Sequence, residues 1–258
     1  MRIKVSNLRC TSGKTLHGNT VYVARAAKLC SSEVNMGTAK PSEGVSGVAL
    51  RRDERGLALA GDGMELRGDF SRMLPRLKPG RLQKELLVRA ARTKGVAAPA
   101  AADCTAGLGE DSLLLAAAGF EVTLFERDET IAALLADALE RAAADPQLAS
   151  IVSRMHLVPG DSIEGLSAID FTPDVVYLDP MFPARTKSAA VKKKFQLLHH
   201  LEQPCEEEEA LVNAALAIHP SKVIIKRPAK GPQLAGIKPA YSICGKAVRY
   251  DVLVPSPA

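Results

Sequence analysis

The sequence predicts an α/β fold: a mostly parallel sheet with an antiparallel hairpin at its edge, preceded by a small basic α+β extension. Three observations carry this expectation. From residue 101 onward, short apolar runs of strand character alternate with segments of helical periodicity, the pattern of βαβ units. The first of these strands meets its helix through a turn with two glycines, Asp103-Cys104-Thr105-Ala106-Gly107-Leu108-Gly109. Charge also divides along the chain: residues 1–100 hold 19 Lys+Arg against 8 Asp+Glu, whereas residues 101–258 hold 15 against 21.

Residues 1–45 scatter short apolar runs among Ser, Thr, Gly and Asn and specify no long element. Within 47–60, two alternating runs flank Asp53-Glu54-Arg55-Gly56, which reads as a β-hairpin, and a third run over 64–70 continues the sheet. Leu82, Leu86, Leu87 and Ala90 recur at helical spacing, so a helix is expected over 82–93, with Pro79-Gly80 before it and Gly95 as its C-cap. The core follows as strand 101–104, helix 110–118, strand 121–126, helix 129–144, and strands 156–159 and 175–178. Helices between strands imply right-handed crossovers and a parallel sheet. A helix over 206–218, a strand over 222–226 and an antiparallel pair, 241–244 and 248–254, about Gly245-Lys246 complete the pattern. Two domains are expected: a basic extension over 1–95 and the α/β domain over 96–258.

The 258 residues suit one α/β core with an appendage. A chain 47% hydrophobic and 24% charged is not disordered, and 4% aromatics argue against a β-sandwich. The most apolar run, 113–120, is too short to span a bilayer, and the first residues lack a secretory apolar core, so a cytoplasmic protein is expected. Cys10, Cys30, Cys104, Cys205 and Cys244 are odd in number and lack C-x-x-C spacing, which writes neither a disulfide framework nor a zinc site. The basic first hundred residues fit a polyanion partner, with a solvated basic surface as the plainer alternative.

Gly107 and Gly109 let the backbone of the first strand-to-helix turn pass close to a ligand. Ser112 stands where the dinucleotide fingerprint has its third glycine, so the turn alone decides little. Glu126 ends the next strand at the distance where an acid bonds ribose hydroxyls, the ribose of either NAD or S-adenosylmethionine. Asp161 and Ser162 follow the third strand on the same rim, placed to read an adenine amino group. Each acid taken singly is equally a cap or loop residue. With Asp103 they form a regular series at strand ends.

The apolar strand Val175-Val176-Tyr177-Leu178 runs into Asp179-Pro180-Met181-Phe182-Pro183. This resembles the D/N-P-P-F/Y motif of methyltransferases acting on exocyclic base amines. Such an amine is a weak nucleophile because its lone pair is delocalised into the ring. A carboxylate and a carbonyl that accept its two N–H bonds aim it at the methyl group and stabilise the charge that develops. Asp179 would accept from the amine, Pro180 would fix the backbone, and Phe182 would stack on the base, with no metal required. Arg185, Lys187, Lys192, Lys193 and Lys194 follow the motif, and Lys226 and Arg227 end a later strand; these cations are candidates for RNA phosphates.

From the hairpin onward, DCTAGLGEDS, LFERD, VVYLDPMFPARTKSAAVKK, VIIKRP, QLAG and GKAVRYD resemble the ribosomal RNA small subunit methyltransferase J family in order and spacing. Asp-Pro-Met-Phe-Pro is that family's own form of the motif, so Met181 departs only from the wider superfamily. The chain departs from the family at Leu77-Lys78-Pro79-Gly80-Arg81, where a glycine-rich segment is usual. The resemblance implies the class I S-adenosylmethionine-dependent methyltransferase fold, which is Rossmann-like, and S-adenosylmethionine as methyl donor. It implies the N2 amine of a guanosine in 16S ribosomal RNA or the small ribosomal subunit as substrate. Carried over by position, its cofactor contacts fall on Glu110, Asp111, Glu126, Arg127, Asp161, Ser162 and Asp179. Two alternatives remain from the residues themselves: a methyltransferase for another RNA base amine or a protein glutamine amide, and an NAD-dependent oxidoreductase.

Overall fold

Alternating apolar runs become one seven-stranded sheet covered on both faces, in a computed structural model that describes residues 48–61, 63–180 and 207–255. Ahead of that sheet, β1 (Val48–Asp53), β2 (Gly56–Gly61) and β3 (Met64–Leu66) form a small antiparallel sheet, as the hairpin pattern predicts. Three short helices follow: α1 (Leu74–Leu77), α2 (Pro79–Leu82) and α3 (Leu86–Ala91).

The helix expected over 82–93 is therefore two helices. Glu85 leaves helical space at φ −59°, ψ 129°, and its carboxylate takes two hydrogen bonds from Arg76, at 2.9 and 2.8 Å. Arg92 is extended, so α3 ends at Ala91 and Gly95 caps nothing.

The α/β part runs β4 (Ala100–Asp103), α4 (Glu110–Ala117), β5 (Glu121–Glu126), α5 (Glu129–Ala143), α6 (Ala149–Val152), β6 (Met155–Pro159), α7 (Ser162–Ala168) and β7 (Val175–Leu178). Then come α8 (Glu208–Ala217), β8 (Lys222–Pro228), β9 (Tyr241–Cys244) and β10 (Val248–Leu253). The order across the sheet is β6-β5-β4-β7-β8-β10-β9. The pairs from β6 to β8 are parallel, while β10 runs antiparallel to both β8 and β9. The sequence indicates the final hairpin but not that its second strand enters the sheet ahead of the first.

Alternation along each strand sorts the core into two layers. Ala101, Val122, Leu124, Val175, Tyr177 and Ile224 face α3, α4 and α5, whose buried side chains join the same cluster. Ala102, Phe125, Val176, Leu178, Val223 and Ile225 face α7 and α8. The small sheet docks on α5, where the buried Asp137 carboxylate accepts from Arg52 Nη1 and Arg141 Nε, each at 2.8 Å. Among the described residues, no helix is long and apolar enough to cross a membrane.

Candidate active site

Chain reversal at β4, which pairs with β5 on one side and β7 on the other, opens a crevice at the carboxyl ends of these strands. A cavity of about 990 Å³ occupies it. Asp103, Glu126, Asp161 and Asp179, each at or just past the end of its strand, line this cavity together. The acids that the sequence sets at successive strand ends are thus brought to one rim.

The turn after β4 is held by its first acid. Asp103, 1% exposed, accepts from the Thr105 amide at 3.0 Å and from the Ser112 hydroxyl. Burial raises its pKa to about 7; the Ser112 and Thr105 bonds pull the other way, while Asp111 and Asp179 add to the rise. Thr105 Oγ1 in turn accepts from the Asp179 amide at 2.7 Å, which fixes the main chain where β7 ends.

The two turn glycines separate in role. Gly107 has φ +54°, lines the cavity, and a Cβ there would find no atom of the described residues within 4 Å. Gly109, at φ +77°, faces the core instead: a Cβ would lie 2.7 Å from Leu135 Cδ1 and 3.2 Å from Phe70 Cζ. Close packing against α5, not a ligand, therefore excludes a side chain at 109.

Glu126 accepts from the Gly107 amide at 2.8 Å through one oxygen and from the Asp128 amide at 2.9 Å through the other. Each oxygen keeps a lone pair for a hydroxyl donor. Burial raises the Glu126 pKa against these two amides. Asp161 caps α7 by accepting from the Ile163 amide at 2.7 Å through Oδ1; among the described residues Oδ2 takes no hydrogen bond. Ser162 is buried beside it, and Glu110 and Arg127 lie on the cavity wall.

Asp111, in the first turn of α4, accepts through Oδ2 from the Tyr177 hydroxyl at 2.6 Å and from Lys226 Nζ at 2.7 Å. The same ammonium donates to Asp179 Oδ2 at 2.8 Å. Burial raises the Asp179 pKa and Lys226 opposes the rise, while the two carboxylates hold the Lys226 pKa above its usual value against burial. Tyr177 and Tyr250 lie alongside, ring centroids 6.5 Å apart, and burial pushes both phenols up.

Two of the cations read as RNA contacts are placed otherwise. Lys226 turns inward to the two carboxylates, and Arg227, 1% exposed, donates through Nε to the Pro232 carbonyl at 2.8 Å. A buried guanidinium does not meet a phosphate. Phe182, Arg185, Lys187, Lys192, Lys193 and Lys194 lie outside the described residues. What sequence reasoning missed is the roles of Thr105, Tyr177, Tyr250 and Lys226, and a row of arginines, Arg67, Arg72 and Arg76, on the cavity wall. The basic charge of the first hundred residues is the one signal for that row.

Residues 46–255 match the family model described as "Putative SAM-dependent methyltransferase". The chain is 43% identical over 236 residues to the ribosomal RNA small subunit methyltransferase J of Thioalkalivibrio sulfidiphilus, an alignment covering 88% of this chain and 92% of that one. It is 51% identical over 155 residues to the protein of the same name from Pseudomonas aeruginosa, covering 60% of this chain and 59% of the relative. A solved SAM-dependent methyltransferase from Neisseria gonorrhoeae superposes with a TM-score of 0.68 at 31% identity, covering 86% of this chain and 87% of that one. With its sheet order, its acidic rim and these likenesses together, the chain belongs to the S-adenosylmethionine-dependent methyltransferase family that includes ribosomal RNA small subunit methyltransferase J.

Proposed function

We propose that this enzyme methylates the exocyclic N2 amine of a guanosine in 16S ribosomal RNA, with Asp179 as the amine acceptor. The observation that carries the reading is the common rim: Glu126, Asp161, Asp179 and Pro180 all line one cavity. The names of the relatives supply the RNA.

The residues present fit S-adenosylmethionine. The open cradle at Gly107 admits a ligand close to the backbone, the free lone pairs of Glu126 suit ribose hydroxyls, and Asp161 Oδ2 with Ser162 suits an adenine amino group. Glu110, Asp111 and Arg127 complete the proposed cofactor wall. When bound, the cofactor supplies a methyl group on a positively charged sulfur.

The chain's own groups then orient the acceptor. Asp179, its amide anchored by Thr105, accepts one amine N–H and turns the nitrogen lone pair toward the cavity. Its negative charge stabilises the positive charge that grows on the nitrogen before a proton departs. Pro180 restricts the backbone that presents the second acceptor, the carbonyl. Phe182 is assigned to stacking on the base, and Arg185, Lys187, Lys192, Lys193 and Lys194 to phosphates, on sequence grounds. Residues 1–95 are assigned to RNA binding as a basic extension of a catalytic domain over 96–258, a division supported by the charge asymmetry.

Radiolabel transfer from S-adenosylmethionine into purified small subunits, followed by mass-spectrometric mapping of the RNA, tests the reading. Label on guanosine N2 is expected. Label confined to protein would overturn it in favour of a glutamine amide.

A further inference from the structure

We propose that Lys226 is a positioning residue for methyl transfer, holding the Asp179 carboxylate ionised and committing its Oδ2 so that Oδ1 is presented to the substrate amine. The proposal rests on the reading of Asp179 as amine acceptor.

The geometry comes from strand register. β7 and β8 are parallel, with Leu178 opposite Ile225, so Asp179 and Lys226 stand next in register, just where β7 ends while β8 runs on beside β10. Lys226 lies one alternation past Ile224 and therefore on the α4 face, where the Asp111 carboxylate waits. The ammonium donates to Asp111 Oδ2 at 2.7 Å and to Asp179 Oδ2 at 2.8 Å. Among the described residues, Asp179 Oδ1 takes no hydrogen bond.

Such a cation serves the chemistry. An ionised carboxylate accepts from the amine through either oxygen, whereas the neutral acid carries a proton on one oxygen that would face the amine's own N–H donors. Yet Asp179 stands where ionisation is disfavoured: burial raises its pKa and Asp111 adds to the rise. The groups facing it from the surrounding elements are Asp103 on β4, Asp111 on α4, Tyr177 on β7, Lys226 and Arg227 on β8, and Tyr250 on β10. Of these, Lys226 is the cation in hydrogen-bond contact. Tyr177 holds Asp111 in place at 2.6 Å, so the ammonium is shared between two fixed anions and does not swing toward either.

Carboxyl-carbon NMR of the aspartate-labelled protein, free of cofactor and RNA, tests this directly. The Asp179 resonance is identified by its loss in Asp179→Asn. In Lys226→Met the midpoint of that resonance should move up by about 1–3 pH units, the effect of losing one adjacent opposite charge. In Lys226→Arg it should stay near the parent value. In Asp111→Asn it should move down, because a like charge is lost while the amide oxygen still receives the tyrosine.

The acid limb of kcat/KM for methyl transfer should follow the NMR midpoint in each variant. Should Lys226→Met fail to fold, Lys226→Gln, which keeps a polar side chain but removes the charge, carries the same test and the same expected rise. Unmoved midpoints, or a loss of activity by one factor at every pH, would make Lys226 a packing residue and end the proposal. A parent protein that labels no RNA would instead remove the functional reading, while the titrations would still report whether Lys226 sets the charge of Asp179.

Discussion

Two aspartates on the rim do opposite work. Asp179 is kept charged for the substrate, so Asp179→Ala should lower single-turnover methyl transfer by about 10²- to 10³-fold, the scale of losing one group that stabilises developing charge. Cofactor affinity measured by calorimetry should fall by much less. Parent-like transfer by the variant would remove Asp179 from the role of acceptor. Asp103 instead gives up part of its charge to burial, which raises its pKa from the ordinary aspartate value of 3.8 to about 7. Folding therefore takes up a proton between those values. Relative to the neutral acid, stability is retained at the low end of that window and is lost as pH rises through about 7. Asp103→Asn mimics the neutral form and should gain on the parent across the same window; a difference in unfolding free energy that stays flat with pH would contradict this. The sequence shows both aspartates as acids after apolar runs and nothing more. What separates them is the fuller burial of Asp103 and the Lys226 ammonium on Asp179, and Lys226 lies 47 residues from Asp179 and 115 from Asp111.

The β4–α4 turn makes the same point for an element. Both glycines have positive φ, but only Gly109 is closed in by Leu135 and Phe70. Gly109→Ala should cost about 1–3 kcal/mol in urea unfolding, from left-handed backbone strain plus overpacking. Gly107→Ala should cost only the strain, about 1 kcal/mol, while weakening cofactor binding by calorimetry. Equal stability losses, or a larger binding loss at 109, would reverse the assignment. Elements whose burial is complete were legible: Val175–Leu178 is buried at every position and reads as an unbroken apolar run. Ser162–Ala168 was not, because Ser-Ile-Glu-Gly-Leu-Ser-Ala buries only Ser162 and Leu166 and carries a glycine in a short helix held by the Asp161 cap. The split at 83–85 was hidden for a related reason. Leu82, Leu87 and Ala90 are all buried, as a single helix would bury them, although two short helices supply them.

Across the whole molecule, the excess of cations in the first hundred residues and in 185–194 predicts RNA binding that weakens steeply with salt. Replacing Lys192, Lys193 and Lys194 by glutamine should reduce the slope of log affinity against log salt by about 0.7–0.9 per charge removed, as read by filter binding at several ionic strengths. An unchanged slope would place the phosphates elsewhere, with Arg67, Arg72 and Arg76 next in line. The sheet order carries a consequence for synthesis. Among the described residues β9 pairs only with β10, and β10 lies between β8 and β9, so a ribosome delivers β9 before the strand that will join it to the rest. Until β10 emerges, β8 with Lys226 is an open edge, and the Val248 and Tyr250 part of the cavity wall does not exist. The cavity is thus fully walled only once β10 has been translated and has paired with β8.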